Sequence, residues 1–502
     1  MINLNKLALV SKNKIFIINS INWQKLADEY EKTKTYRVAE KLNYYTSAQG
    51  IPKIPLNLSL RDYQKEAVVN WFRNKGRGTL KMATGSGKTI TALAIAVELF
   101  SKIKLQVLLV ICPYRHLVTQ WEKECCKFNL KPLLAFETVH NWQSELSNQL
   151  YNIYTKNQQF LTVITTNSTL INDSFQSLLQ FFPEKTLIIG DEAHNLGAQK
   201  TEKSLPRNIG LRLALSATPE RYFDEEGTDA LLRYFGSVIK PEFTLADALK
   251  KGALIHYNYY PIFVELTQEE ALRYAKLTKR IGWVLNNNYQ NFQQNKIVTS
   301  LLMKRTRLVG AATNKLNALY SLMSKRLETT HTLFYCGDST VNYNSSLYRR
   351  QLETVTHILG VELGYRINTY TAQTSLSERE KMKQQLETGE LQGIVAIRCL
   401  DEGVDLPSIR NAVILASSGN PRQFIQRRGR ILRPYPGKKQ ANLFDMIVIP
   451  PNLEREIWEL ERNLLRKEIR RLVEFANLAD NAIEARNELL NLQEKYGLLE
   501  IT

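Results

Sequence analysis

A strand that breaks into a helix through two closely spaced glycines is the feature that most limits what this chain can become. Residues Lys81 to Thr89 read Lys-Met-Ala-Thr-Gly-Ser-Gly-Lys-Thr. Thr79 to Met82 reads as a buried strand, and the apolar, Ala-rich run from Ile90 to Phe100 reads as a helix. Between them the chain must turn within a few residues, and Gly85 and Gly87 are the residues that allow it. A turn of this kind points backbone N–H groups inward at an anion. Thr84, Gly85, Ser86 and Gly87 form the cradle, Lys88 supplies a positive point charge for β- and γ-phosphates, and the Thr89 hydroxyl suits a Mg²⁺ ligand. The strict pattern Gly-x-x-x-x-Gly-Lys-Thr is not met, because Met82 occupies the first glycine position.

At 502 residues the chain exceeds one ordinary core, so two to four domains are expected. Lys plus Arg number 67 against 49 Asp plus Glu, and the resulting net charge of +18 favours a polyanionic partner, nucleic acid before acidic membrane. The five cysteines make no Cys-x-x-Cys pair and have no His at ligand spacing, so they read as reduced core thiols without zinc. No apolar run reaches the length of a membrane span, and Ser11-Lys-Asn-Lys14 interrupts the apolar N-terminus where a signal peptide would continue. A cytoplasmic protein is expected, with no membrane partner.

Taken in order, the chain opens with two short apolar runs, Leu7 to Val10 and Ile15 to Ile18, that suggest a hairpin, then a polar helical stretch near Trp23 to Leu42. Gly50-Ile-Pro-Lys-Ile-Pro55 is a linker. Leu60-Arg-Asp-Tyr-Gln-Lys-Glu66 opens an amphipathic helix, and a Gln just upstream of a phosphate loop can read adenine, since its amide offers both a donor and an acceptor. Beyond the loop, strand-like runs recur, each ending in a polar signature. Val107 to Cys112 leads to Pro113-Tyr-Arg-His-Leu-Val-Thr-Gln-Trp121, Phe160 to Ile164 to Thr165-Thr166, Thr186 to Ile189 to Gly190-Asp-Glu-Ala-His194, and Arg212 to Leu215 to Ser216-Ala-Thr-Pro219. Strands alternating with helices imply a parallel sheet covered on both faces, with its ligand at the carboxyl ends of the strands, where these signatures fall. There Asp191 can hold Mg²⁺ through water, and Glu192 can polarise the water that attacks a γ-phosphate.

With these residues in view, the chain resembles the superfamily 2 helicases and translocases over roughly residues 55 to 450. Ala83-Thr-Gly-Ser-Gly-Lys-Thr89 resembles their motif I, in which Met82 is no anomaly, Asp191-Glu-Ala-His194 their motif II and Ser216-Ala-Thr218 their motif III. Leu60-Arg-Asp-Tyr-Gln64 is similar to the adenine-side motif of the XPB-like, restriction-type and RecG-like branches, which brings in Arg61 beside Gln64. In the second half Thr330 to Cys336 sits at the motif IV position, Arg398-Cys-Leu-Asp-Glu-Gly-Val-Asp-Leu-Pro407 resembles motif V, and Gln423-Phe-Ile-Gln-Arg-Arg-Gly-Arg-Ile-Leu-Arg433 matches motif VI.

The resemblance implies ATP and Mg²⁺ as cofactors and a nucleic-acid-stimulated ATP hydrolase. Gln426, Arg430 and Arg433 share one helical face, so Arg430 and Arg433 are expected to act on the γ-phosphate as arginine fingers. Gly403 and Asp405 match motif V residues that relay the nucleotide state. Arg115, Gln120, Thr165 and Thr166 carry over as contacts to nucleic-acid backbone. Family members often place a Thr near Ile397, and here Arg398 follows as a charged substitute.

The expected fold class is α/β. It comprises two tandem RecA-like parallel-sheet domains, a small N-terminal segment, a helical bridge and a C-terminal helical tail, with boundaries 1–50, 51–250, 251–328, 329–450 and 451–502. In the tail, Arg462, Arg466, Lys467, Arg470 and Arg471 read as the outer residues of a packing helix or as a docking surface. Three functions fit: an ATP-driven DNA helicase or double-strand translocase in repair or anti-phage restriction, an RNA-remodelling helicase, or a partner-dependent ATP-binding component of a defence complex. DNA is favoured over RNA as partner. No nuclease signature accompanies the motor, so a restriction role would need a cutting subunit in another chain.

Overall fold

The fold is described from a computed structural model, for residues 21–33, 50–221, 224–287, 296–343, 347–371, 373–397, 406–416, 429–451 and 455–501. The chain divides into two units, Met1–Leu245 and Ala246–Thr502.

The sheet of the first unit has seven strands: β1 (Arg77–Met82), β2 (Val107–Cys112), β3 (Pro132–Ala135), β4 (Leu161–Thr166), β5 (Thr186–Gly190), β6 (Leu211–Ser216) and β7 (Val238–Phe243). They lie in the order β3-β4-β2-β5-β6-β1-β7, every pairing parallel. Every residue of β2, β4, β5 and β6 is buried, as expected for strands covered on both faces, and this explains why β2 and β5 read as near-continuous apolar runs, while β4 buries three threonines and β6 buries Arg212. Because β5 and β6 follow one another toward β1, the signatures after Gly190 and Ser216 fall on the same sheet end as the glycine loop.

The helix Trp23–Thr33 packs on this unit. Trp23 meets Trp71 edge-on at 6.2 Å and lies flat against Phe72, and Glu29 and Glu31 pair with Lys102 and Arg73. The two apolar runs before residue 20 lie outside the described residues.

The second unit carries β8 (His256–Glu265), β9 (Thr332–Cys336), an antiparallel pair β10 (Thr340–Tyr343) and β11 (Leu347–Arg350), then β12 (Ile367–Tyr370), β13 (Gly393–Ile397), β14 (Asn411–Ile414) and β15 (Gln440–Ile449). Six of them form a parallel sheet in the order β12-β13-β9-β14-β15-β8. The expected α/β class with two parallel sheets is what the chain forms.

One expectation needs correcting. Residues 251–328 are not wholly a helical bridge, because β8 pairs with β15 along ten residues at the edge of the second sheet. Pro261 lies within this strand, and an edge position tolerates it because one side of the backbone has no ladder to serve. Two helices, Gln268–Asn287 and Lys296–Gly310, follow, and a third, Asn314–Met323, buries Leu316, Leu319 and Met323 in the second core.

The tail is a packing element. Helix Arg455–Asn477 buries Leu465, Ile469, Leu472 and Val473, and Tyr257 of β8 donates to the Phe475 carbonyl. Arg471 is buried rather than outward, and Arg462 donates to the carbonyls of Tyr496 and Gly497, so the run of arginines is no continuous outer stripe.

Candidate active site

At the end of β1 the chain passes through Gly85 (φ 84°) and Gly87 (φ 89°), both in the left-handed region that only glycine enters freely. Lys88 then starts the helix Lys88–Ile103, so the loop ends on the positive end of a sixteen-residue dipole. The Lys88 ammonium is buried and donates to the carbonyls of Met82 (3.0 Å) and Ala83 (3.4 Å). Ser86 holds the turn through its own N–H and hydroxyl, both donated to the Ala83 carbonyl. The Thr84 hydroxyl is buried with no partner among the described residues, and Thr89 is half-buried on the first helical turn. A glycine cradle, an orphaned buried hydroxyl and a cation at a helix N-terminus together fit a phosphate chain.

The upstream helix Asp62–Arg73 is fastened to this loop. Tyr63 donates its hydroxyl to the Ser86 carbonyl (2.6 Å) and stacks on Phe243 with ring centroids 3.8 Å apart. Gln64 donates from Nε2 to the Gly87 carbonyl (3.2 Å) and accepts the Arg61 N–H on Oε1 (2.9 Å). The glutamine expected to read adenine is thus first a strut between helix and loop, while the Arg61 side chain is exposed beside it. Glutamate at this position keeps the acceptor but sets a carboxylate against the Gly87 carbonyl. Gln64→Glu is therefore expected to raise the KM for ATP about tenfold, the scale of one lost hydrogen bond plus an unpaired polar group. An unchanged KM would show that the strut does not matter to nucleotide binding.

Asp191 and Glu192 leave the end of β5, two strands from β1. Asp191 is buried and both its oxygens are engaged: Oδ1 accepts the Glu192 N–H (2.9 Å) and Oδ2 accepts the Trp121 indole N–H (2.8 Å). Glu192 has φ 43°, an uncommon left-handed conformation for a residue with a side chain. Burial, and then the Glu192 carboxylate beside it, push Asp191 up to about 6, while the Trp121 donor and the Lys88 ammonium pull the other way. Two carboxylates held together in a buried pocket are costly unless a cation offsets them, and this donor set suits a hard divalent ion. His194 connects the two following signatures: its Nδ1 lies 3.3 Å from Ser216 Oγ and 3.6 Å from a Glu192 oxygen, and Ser216 Oγ accepts the Thr218 N–H. Arg221 closes the back of this cluster, donating to the His194 carbonyl and pairing with Asp224 (2.6 Å).

The comparisons with known proteins bear on this arrangement. Residues 57–221 match the family described as type III restriction enzyme, res subunit, and residues 314–435 match the helicase conserved C-terminal domain. Over 445 residues the chain is 27% identical to the DNA 3'-5' translocase XPB2 of Sulfurisphaera tokodaii, covering 84% of this chain and 90% of that one. Over 384 residues it is 27% identical to a putative DNA 3'-5' helicase Rad25 of Halobacterium salinarum, covering 76% of this chain and 53% of the relative. The chain is a superfamily 2 helicase of the XPB-like and restriction-type branch. Both motor halves are present, and the enzyme is an ATP-hydrolysing helicase or translocase. In fold it is also similar to the ATP-dependent type ISP restriction-modification enzyme LlaBIII bound to DNA, with a TM-score of 0.54 at 19% identity, over 95% of this chain and 34% of that one.

For this superfamily 2 helicase the residues expected to meet nucleic acid divide sharply. Arg115 is exposed at the start of helix Arg115–Lys127, paired loosely with Glu137, and Gln120 is half-buried on the same helix. Thr165 and Thr166 need correcting. The Thr165 hydroxyl is fully buried and donates to the Ala135 carbonyl (2.8 Å), fastening β4 to the edge strand β3. Thr166 is buried and caps helix Asn167–Leu170, accepting the Thr169 N–H. Both hydroxyls serve the fold, because the strand end that lifts a motif to the sheet rim also leaves its last residues in the core.

In the second unit of the helicase, Arg430 is buried and Arg433 is half-buried. The Lys438 ammonium donates to the carbonyls of Pro407 (3.0 Å), Ile431 and Arg433 (3.1 Å), tying the last residue of motif V to the end of motif VI, and burial pushes its pKa down to about 7. Arg398, Gly403, Asp405 and Gln426 lie outside the described residues. Tyr63, Trp121, Arg221 and Lys438 were not anticipated from sequence. Tyr63 lies inside Leu60-Arg-Asp-Tyr-Gln64 and Trp121 closes Pro113-Tyr-Arg-His-Leu-Val-Thr-Gln-Trp121, so membership of those stretches could have flagged the two. Nothing local marks the others.

Proposed function

We propose that this helicase is a DNA motor, with ATP and Mg²⁺ bound at the carboxyl edge of the first sheet. The observation that carries the reading is the convergence of the glycine cradle, Lys88 and the Asp191–Glu192 pair on one sheet end. Thr84, Gly85, Ser86 and Gly87 surround the phosphates, and Lys88 exchanges its two carbonyl acceptors for phosphate oxygens. Thr89 and Asp191 would hold Mg²⁺, which neutralises charge on the β- and γ-oxygens when bound. Glu192 orients and deprotonates the attacking water. Arg430 and Arg433 stabilise charge on the transferring phosphoryl group, and Asp405 answers to nucleotide state.

DNA is favoured because the named relatives are described as DNA translocase and DNA helicases and because the chain carries a net charge of +18. Arg115, Gln120 and Arg398 are assigned to the backbone of the nucleic acid, a mode of contact that reads no sequence and suits movement along a strand. The res-subunit family match over residues 57–221 favours a setting in which the motor works with other subunits, and a restriction role would require a nuclease among them.

The test is an ATPase assay of the full chain on single-stranded DNA, duplex, forked DNA and RNA, with Lys88→Ala as control. Stimulation by DNA above RNA, abolished in Lys88→Ala, is the expected result. Stimulation by RNA alone would move the reading to an RNA-remodelling helicase. Turnover that survives in Lys88→Ala would remove the phosphate-loop assignment.

A further inference from the structure

Trp121 lies on the helix that bears Arg115 and Gln120, yet its indole donates to a carboxylate oxygen of Asp191, seventy residues away at the end of another strand. The ring is 1% exposed, so no water competes for this bond. On the same helix Leu117, Val118 and Cys125 are buried with it, while Arg115 is exposed with a side chain 72% accessible. One short rigid element therefore carries, on its open side, residues assigned to a polyanion and, on its buried side, the donor that fixes Asp191. The other Asp191 oxygen is held by the Glu192 N–H, so the two bonds together set the plane of the carboxylate and leave one lone-pair direction on each oxygen for a metal-bound water.

We propose that Trp121 is a positioning residue through which nucleic acid on the Arg115–Lys127 helix adjusts the metal-side carboxylate of the ATP site. The inference rests on the reading of Asp191 as that carboxylate. A hydrogen bond to an ionised acceptor weakens steeply as distance and angle change, so a small displacement of the helix is enough to alter how Asp191 is held. The effect is a coupling between two sites through a single bond, and it is reciprocal: nucleotide with metal tightens the hold on the helix as the helix tightens the hold on the carboxylate.

The experiment uses the full chain. Trp121→Phe keeps an aromatic side chain, smaller by the pyrrole half of the indole, and removes the N–H. The variant is expected to need about tenfold more Mg²⁺ for half-maximal turnover and to lose about tenfold of its DNA stimulation, the scale of one hydrogen bond to a charged group. Its affinity for a fluorescent ATP analogue in EDTA should stay within about twofold of wild type, because Asp191 then has no metal to hold. A second measurement needs no variant: in protein with ¹⁵N-labelled tryptophan, the indole resonance broadened most when Mn²⁺ accompanies nucleotide identifies Trp121. In nucleotide-free protein it should move when duplex DNA is added. An unchanged Mg²⁺ requirement in the variant, or an indole resonance that DNA leaves in place, overturns the inference. Wild-type turnover that no nucleic acid stimulates would instead sink the motor reading, and the Mg²⁺ comparison would still report on Trp121 alone.

Discussion

Glu192→Gln is expected to lower ATP turnover by about 10²–10⁴-fold, the usual contribution of a general base, while leaving nucleotide binding largely intact. Gln is isosteric and still orients a water, but it cannot accept the proton. The same substitution should make the protein more stable. Asp191 is raised partly because Glu192 sits beside it as a like charge, so removing that charge relieves a buried repulsion. The sign follows from the direction of the shift. With the folded value of Asp191 above its ordinary one, ionisation at neutral pH costs the folded state, and this cost grows as pH rises through about 6. The stabilisation in Glu192→Gln should therefore be present above pH 6 and fade below it, where Asp191 takes up a proton. Thermal unfolding in EDTA at pH 5 and pH 7.5 checks this beside the turnover assay. Normal turnover would refute the base assignment, and a lower unfolding temperature at pH 7.5 would refute the repulsion.

Gly87→Ala should be nearly as damaging, through the backbone rather than the chemistry. Gly87 has φ 89°, where a side chain costs about 1–2 kcal/mol. A Cβ there would stand 2.5 Å from Gln64 Nε2, well inside contact distance. Gln64 must then withdraw, giving up its bond to the Gly87 carbonyl, worth about 1 kcal/mol. The Asp62–Arg73 helix loses one of its fastenings to the loop, and the cradle loses its shape. An ATP affinity at least about tenfold weaker is expected, together with an unfolding temperature several degrees lower. Calorimetric titration with a non-hydrolysable ATP analogue and thermal unfolding measure both. Wild-type affinity in this variant would mean that the loop can cradle phosphate without its left-handed turn.

Much of this was legible in sequence, for physical reasons that also mark where legibility stopped. β2 and β5 of the first unit are near-continuous apolar runs because both their faces are covered, and the polar endings of the buried strands announce the ligand edge. β8 was missed for the opposite reason: as an edge strand with mixed burial and an internal proline, its residues do not read as a core strand. Thr165 and Thr166 were misread because a motif locates the rim of a sheet without saying which side chains point up from it and which stay in the core. The role of Gln64 was half legible. Its donor and acceptor character was plain, but its first acceptor, the Gly87 carbonyl, depends on the angle at which two helices meet. The Trp121–Asp191 bond joins residues that only the strand order β2-β5 brings together.

That strand order also governs how the protein is made. β1 is flanked by β6 and β7, which come last in the first unit, and the Ala83 N–H at the mouth of the glycine loop donates to the Phe243 carbonyl (2.7 Å). The loop appears early in synthesis and receives its supports only after residue 243 has been added. Parallel pairings of such wide sequence separation form slowly and leave apolar strands waiting. A nascent chain stopped before β7 would display the Gly-Lys-Thr signature without the walls that hold it, so the capacity to bind ATP arrives with the completion of the unit rather than with its best-known residues.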